Sequence, residues 1–223
     1  MSPPAQRSTM ISAEHMERLP IFPLSRATLF PHALLPLHIF EPRYRAMTEH
    51  CLRDGRPMAI AMVHEGEQSG LPTVHPEMGM GVIERHERLP DGRFHIVLRG
   101  LGRVRIVREW PQQQAWREVE AAPLCDRVED FGVVAGHMAT LRGCLQALQR
   151  MRPDLASSLA QLAPEDEPPG AVADRLAMSF FPESEPRQAL IAEPLVEARL
   201  ERVVERVGEV LARLGAADGG VFN

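Results

Sequence analysis

The sequence predicts an α+β protein, with a β-rich half over about residues 19–124 and a helical half over about 127–214. Three observations carry this. From Arg93 to Val107 the pattern has a period of two: Phe94, Ile96, Leu98, Val104 and Ile106 are apolar, while Arg93, His95, Arg99, Arg103 and Arg105 are cationic or polar. Beyond Asp126 the period changes to about 3.5, with Phe131, Val134, Met138, Leu141, Leu145 and Leu148 in one series and Val196, Leu200, Val203, Val207, Val210 and Leu214 in another. Proline and glycine clusters, among them Pro164 to Gly170 and Pro182 to Pro186, divide the helical half into shorter pieces. Strands followed by helices in this order argue for an α+β architecture.

The elements can be justified in turn. Residues 1–17 are polar, proline-containing and aperiodic, and are expected to form a flexible tail, as are residues 215–223. Leu19 to Leu24 and Ala33 to Phe40 are apolar runs interrupted by proline, which suits edge or bulged strands. Pro42 fits the first position of a helix on which Tyr44, Met47 and Cys51 recur, and Gly55 is its expected C-cap. Pro57 to Val63 reads as a buried strand, and His64 to Glu77, with two glycines and two prolines, as a long loop. Gly81 to Leu89 is a strand entering the turn Pro90-Asp91-Gly92. Gly100 and Gly102 around Leu101 predict a bulge or sharp bend, and Trp116 to Leu124 a last strand. Helical pieces are expected around 153–162, 171–181 and 187–193.

Composition removes several kinds of chemistry. The 223 residues carry 25 basic and 30 acidic side chains, and all 25 basic ones are arginine. A P-loop needs a lysine on the phosphates, and a Ser-Lys dyad or a Schiff base needs a lysine amine. Arginine replaces it in none of these roles because it does not release its proton. A net charge of −5 runs against the basic excess of a nucleic-acid footprint. Cys51, Cys125 and Cys144 are too few and too scattered for a disulfide framework or a zinc site. There is no signal-peptide pattern and no apolar run of about 18 residues to span a bilayer, so a cytoplasmic protein is expected.

Leu19-Pro20-Ile21-Phe22-Pro23-Leu24, Leu29-Phe30-Pro31 and Leu35-Pro36-Leu37-His38-Ile39-Phe40-Glu41-Pro42-Arg43-Tyr44-Arg45-Ala46-Met47 together follow the pattern LPxxPLxxxxLFPxxxLPLxIFEPRYRxM. This stretch resembles the N-terminal substrate-binding domain of Lon proteases. Leu89 to Arg93, Arg99 to Arg103, Gln188 to Ile191 and Ala198 to Leu200 resemble later family segments. The resemblance implies a PUA-like small β-barrel with one inserted helix, followed by a C-terminal helical bundle. In the full-length proteases an AAA+ ATPase and a Ser-Lys peptidase follow that unit. A chain of this length without lysine is expected to be a free-standing, non-catalytic relative.

Plainer readings compete at each motif. Glu41-Pro42-Arg43 is expected to be structural, Glu41 capping the helix while Arg43 and Tyr44 lock it to the strands. The arginines of 93–105 lack interleaved aromatics and read as a solvated strand face. The nine histidines include no H-E-x-x-H, and Ser69 is displaced from a G-x-S-x-G elbow. Cys51 fits the apolar face of its helix, and His50 beside it points elsewhere. Glu197, Glu201, Glu205 and Glu209 stripe the last helix, with Arg199, Arg202 and Arg206 on another side; this is a solvated bundle face, or else the seam of a homodimer. Neither cofactor nor metal is implied.

The expected function is recognition of unfolded or apolar segments of other proteins, as an adaptor for a separate protease. Phe30, His32, Phe40 and Tyr44 are the candidate polypeptide-binding residues. RNA binding through the PUA-like barrel is the alternative.

Overall fold

The computed structural model describes residues 13–64 and 72–219. The chain divides into two compact units, Met1–Pro123 and Leu124–Asn223.

The first unit is built on a six-stranded sheet of β1 (Leu19–Leu24), β2 (Leu34–Ile39), β3 (Met58–Met62), β4 (Glu77–Arg88), β5 (Phe94–Glu109) and β6 (Arg117–Pro123). The order is β2-β5-β4-β3-β1-β6, and β6 also pairs with β5. The ladder of β5, β4, β3, β1 and β6 therefore returns on itself as a ring, and among the described residues β2 is attached to β5 alone. β1 and β3 are parallel, as a connection carrying the helix α2 (Pro42–Asp54) permits; the remaining pairs are antiparallel.

Two apolar clusters explain the sequence patterns. Phe22, Met58 and Ile60 belong to one, with Tyr44, Met47 and Cys51 of α2; Leu19, Ile21, Ala59 and Ala61 belong to the other. β1 and β3 are thus buried on both faces, which is why they read as continuous apolar runs. β5 has a subtler history. Its register on β4 shifts where Met80 pairs with Gly102 and Gly81 with Gly100, leaving Leu101 as the extra residue. One added residue exchanges the faces of a strand. Phe94, Ile96 and Leu98 accordingly join the Phe22 cluster and Val104 the other, so the single period-two run of the sequence is two runs with a bulge between them.

Glycines on these strands let the backbone approach closely. A Cβ at Gly79 would collide with the carbonyl of Leu29, and one at Gly100 with the carbonyl of Phe30. The segment carrying Leu29 and Phe30, both fully buried, lies directly on the strands. In the turn, Leu89 N donates to Arg93 O at 2.8 Å and Gly92 takes a φ of 80°.

The terminal tails need correction. Residues 13–17 form a short helix, α1 (Ala13–Glu17), because Met16 packs on the second cluster and Trp110 Nε1 donates to Glu17 O at 2.7 Å. The last helix continues to Gly219 rather than ending at Leu214, since Ala216 and Ala217 favour helix. Residues 1–12 and 220–223, and residues 65–71 of the expected loop with Ser69, lie outside the described residues.

The second unit contains α3 (Phe131–Met151), a 3₁₀ turn (Pro153–Leu155), α4 (Ala156–Ala160), α5 (Pro169–Phe180), α6 (Ser184–Ala192) and α7 (Val196–Gly219). Asp130 caps α3, its Oδ1 accepting from Gly132 N at 2.7 Å and Val133 N at 3.1 Å. Val134, Met138, Leu141, Leu145 and Leu148 are buried, as are Val196, Leu200, Val203 and Val207 of α7. Phe131, expected on the same stripe, is 78% exposed. Periodicity gives the phase of a helix face but not the turn at which its partner begins. Arg199, expected on the charged side of α7, is fully buried: it is ion-paired with Asp174, and its Nη2 lies 2.5 Å from Asp126 Oδ1. Its position, three after Val196 and four before Val203, belongs to the buried stripe, and two carboxylates offset the cost of placing a cation there.

Candidate functional site

The site begins with β2, the strand that among the described residues is paired on one side only. Leu35 and Leu37 pack against the Phe22 cluster and Ile39 is part of it. Leu34, Pro36 and His38 alternate with them on the outer face, followed by Phe40, and all four are exposed. Leu34 keeps 47% and Phe40 59% of its surface accessible. Pro36 has no N–H to donate to a ladder, so it is accommodated with its nitrogen toward the free edge, the position edge strands allow. The result is an open strand edge bordered by apolar side chains.

A shallow groove of about 500 Å³ runs over this outer face, between β2 and the outer ends of β4 and β5. His38, Arg85, His86, Glu87, His95 and Val97 line it. The pairing dictates the arrangement, since His38 stands opposite His95 and His95 opposite Glu87. The rings of His38 and His95 meet edge-on at 5.0 Å, Phe40 lies 5.9 Å beyond His38, and His95 Nδ1 is 3.7 Å from the Glu87 carboxylate. Among the described residues, no three His, Cys, Asp or Glu side chains converge as a metal-ligand set.

The four candidate polypeptide-binding residues separate into two pairs. Phe30 and Tyr44 are core residues, 0% and 6% exposed. Tyr44 packs on Phe22 with ring centroids 4.2 Å apart, and burial above all raises its phenol from the ordinary value. Phe40 is on the open face. His32 is exposed, with a left-handed φ of 63° held by its N–H donating to Gly100 O at 2.9 Å. It therefore belongs to the turn that sets β2 on β5, which costs a non-glycine residue some strain. Leu34, Pro36 and His38 complete the exposed row; the alternation of β2 was the signal for them.

Glu41-Pro42-Arg43 stands at the start of α2, where the expected side-chain cap is absent. Glu41 occupies the N-cap position, but its side chain makes no cap hydrogen bond. Its carboxylate accepts from Arg43 Nε at 2.9 Å, while its carbonyl accepts from Tyr44 N and Arg45 N. The guanidinium of Arg43 lies over the Tyr44 ring at 4.6 Å. At the other end of α2, Gly55 takes φ 64° and its N–H donates to Cys51 O. Burial pushes the Cys51 thiol up to about 12, the state of an inert core sulfur. The His50 ring lies tilted against Trp116 with centroids 5.3 Å apart, and burial above all lowers its basicity.

The arginines of β5 do not form one solvated cationic face. Arg103 is buried, at 5% exposure, because the bulge displaces the alternation. Arg93 pairs with Asp91 at 2.6 Å, Arg99 with Glu84 at 2.9 Å and Arg105 with Glu77 at 2.8 Å. A second concavity, about 570 Å³ and mainly apolar, lies against β4, β5 and β6. Those strands have neighbours on both sides, so it offers no comparable strand edge.

Known proteins resemble most of the chain. Residues 18–208 match the family described as the ATP-dependent protease La (LON) substrate-binding domain. The chain is 24% identical over 205 residues to a Lon protease of Desulfosudis oleivorans, covering 91% of this chain and 25% of that protein. It is 27% identical over 205 residues to Lon protease 2 of Sorangium cellulosum, covering 87% of this chain and 25% of the relative. It thus spans about a quarter of the length of these relatives. A Lon N-terminal domain protein from Xanthomonas campestris has a similar fold, with a TM-score of 0.59 at 24% identity over 84% of this chain and 97% of that one. So does the N-terminal domain of a Mycobacterium avium complex Lon protease, with a TM-score of 0.65 at 19% identity over 86% and 98%.

Proposed function

The chain belongs to the Lon substrate-binding domain family, and from that membership we propose that it binds unfolded or apolar polypeptide segments along the free edge of β2. The observation that carries the reading is β2 itself, a strand with one open edge and with Leu34 and Phe40 exposed beside it. An extended segment docks on such an edge by main-chain hydrogen bonds, and the flanking side chains supply apolar contact. Phe30 and Tyr44 act from beneath, holding the turn before β2 and the helix after it. The module is non-catalytic and PUA-like, acts in the cytoplasm, and serves protein quality control as an adaptor that delivers clients to a separate protease.

The test uses fluorescently labelled, reduced and alkylated α-lactalbumin as the unfolded probe. The double variant Leu34→Asp/Phe40→Asp is expected to lose at least about tenfold in affinity, the scale of removing a hot spot. Its thermal midpoint stays near that of the parent because both side chains are already exposed. Equal binding by parent and variant sinks the assignment to β2.

A further inference from the structure

Hydrogen-bond parity determines which backbone groups of β2 point outward. Leu89 N donates to Arg93 O, and Glu87 stands opposite His95, so the odd residues at this end of β5 bond toward β4. Its even residues bond toward β2, where Phe94, Ile96 and Leu98 face Ile39, Leu37 and Leu35. Gly100 N, donating to Ala33 O at 2.8 Å, continues the same series. The main-chain groups of Leu34, Pro36 and His38, with Phe40 after them, are left on the free edge. We propose that this edge pairs with β2 of a second copy of the chain, antiparallel about a two-fold axis at Leu37. Leu34 of each copy then lies opposite Phe40 of the other, and Pro36 opposite His38.

Charge favours a second copy as the occupant. From Leu34 to Phe40 the edge carries no Asp, Glu or Arg, although charge is a usual means of blunting an exposed edge. On the same face, the nearest cations of β5 are already neutralised, Arg93 by Asp91 at 2.6 Å and Arg99 by Glu84 at 2.9 Å. Two copies therefore meet without like charges opposed.

Parity also selects the register. Antiparallel strands exchange hydrogen bonds between residues whose main-chain groups face each other, so the register moves in steps of two. Pairing centred on Pro36 opposes two prolines, neither of which can donate. Pairing centred on His38 opposes two imidazoles and leaves Leu34 beyond the partner strand. Centred on Leu37, each Pro36 carbonyl meets the His38 N–H, and the exposed Leu34 and Phe40 cover each other.

A two-fold pairing uses the same edge in both copies and so closes on itself. The other strands form the ring, and among the described residues no second edge remains to extend the sheet. The seam is short, in the size class below about 1,200 Å², which suits a reversible dimer. A client and a second copy then compete for one edge. The pairing rests on that open edge and not on the client reading.

Register-specific disulfide trapping tests it in the full chain, with Cys125→Ser and Cys144→Ser replacing the native cysteines that are not buried. Leu34→Cys and Phe40→Cys are placed separately in this background. Opposed residues of a hydrogen-bonded pair lie about 5.5 Å apart, within reach of a disulfide. Under mild oxidation, an equimolar mixture is expected to cross-link at least about tenfold faster than either variant alone, because pairing raises the local thiol concentration. His38→Pro removes an outward N–H and leaves the ladder to β5 intact. It is expected to bring the mixture down to the rate of the single variants, with an unchanged far-UV circular dichroism spectrum. Equal rates in mixture and single variants, or no effect of His38→Pro, overturn the pairing while the client reading stands. Trapping that is not slowed by saturating reduced and alkylated α-lactalbumin keeps the pairing and removes the client from β2.

Discussion

Glu197, at the start of α7, receives two backbone amides on one oxygen: Glu129 N and Asp130 N each donate to Oε1 at 2.6 Å. The Asp130 amide above all holds this carboxyl below its ordinary value, against burial, which raises it. A carboxyl whose folded value is depressed contributes stability above its unfolded value, and that contribution is lost as pH falls through the folded one. The thermal midpoint should therefore drop on acidification from the ordinary carboxylate range, about pH 4.3, downwards. Glu197→Gln keeps the shape but cannot ionise, so its midpoint should fall less over that interval; an identical slope in parent and variant refutes the assignment. Sequence reading placed Glu197 on a solvated stripe with Glu201, Glu205 and Glu209. Helical spacing cannot reveal that the segment before α3 runs past α7, where Arg127 N donates to Pro194 O and Val196 N to Arg127 O, each at 2.9 Å.

At the scale of the element, β5 shows how far a periodic pattern can be trusted. Gly100 and Gly102 look equivalent in sequence, yet their surroundings differ. A Cβ on Gly100 strikes the Phe30 carbonyl, while one on Gly102 meets nothing within 4 Å. Gly100→Ala should destabilise the protein by about 1–3 kcal/mol or more, as overpacking does. Gly102→Ala should stay within about 0.5 kcal/mol. Urea denaturation of the two variants decides it, and similar midpoints contradict the close approach of Phe30 to β5. The bulge itself was legible from the paired glycines. Its consequence was not: alternation before and after it is carried on opposite faces, so Arg103 is buried although the pattern placed it with the solvated arginines. Phe131 fails for a related reason, because the stripe of α3 begins to be covered one turn later, at Val134.

At the scale of the whole molecule, net charge and local pairing act in the same direction. The chain carries −5, and Arg93, Arg99 and Arg105 each face a carboxylate. Polyanion binding needs cations free to displace counterions from phosphates. The protein should pass through a heparin or immobilised-RNA column near physiological salt; retention that is lost steeply with salt would restore the RNA-binding alternative. Much of the architecture was determined by sequence alone. The change of period near Asp126, the proline-broken strands and the helix from Pro42 to its cap at Gly55 each state a local preference that the fold honours. The absence of lysine likewise removes lysine-dependent chemistry from this chain whatever its shape. Tertiary structure decided which of those residues have a surface. Phe30 and Tyr44 stand in the same motif as Phe40, but only Phe40 is exposed, and the free edge of β2 exists because the other strands close into a ring that leaves it one partner. Local sequence sets φ, ψ and the facing of a side chain, whereas exposure depends on what lies opposite, and that is fixed only when distant segments meet.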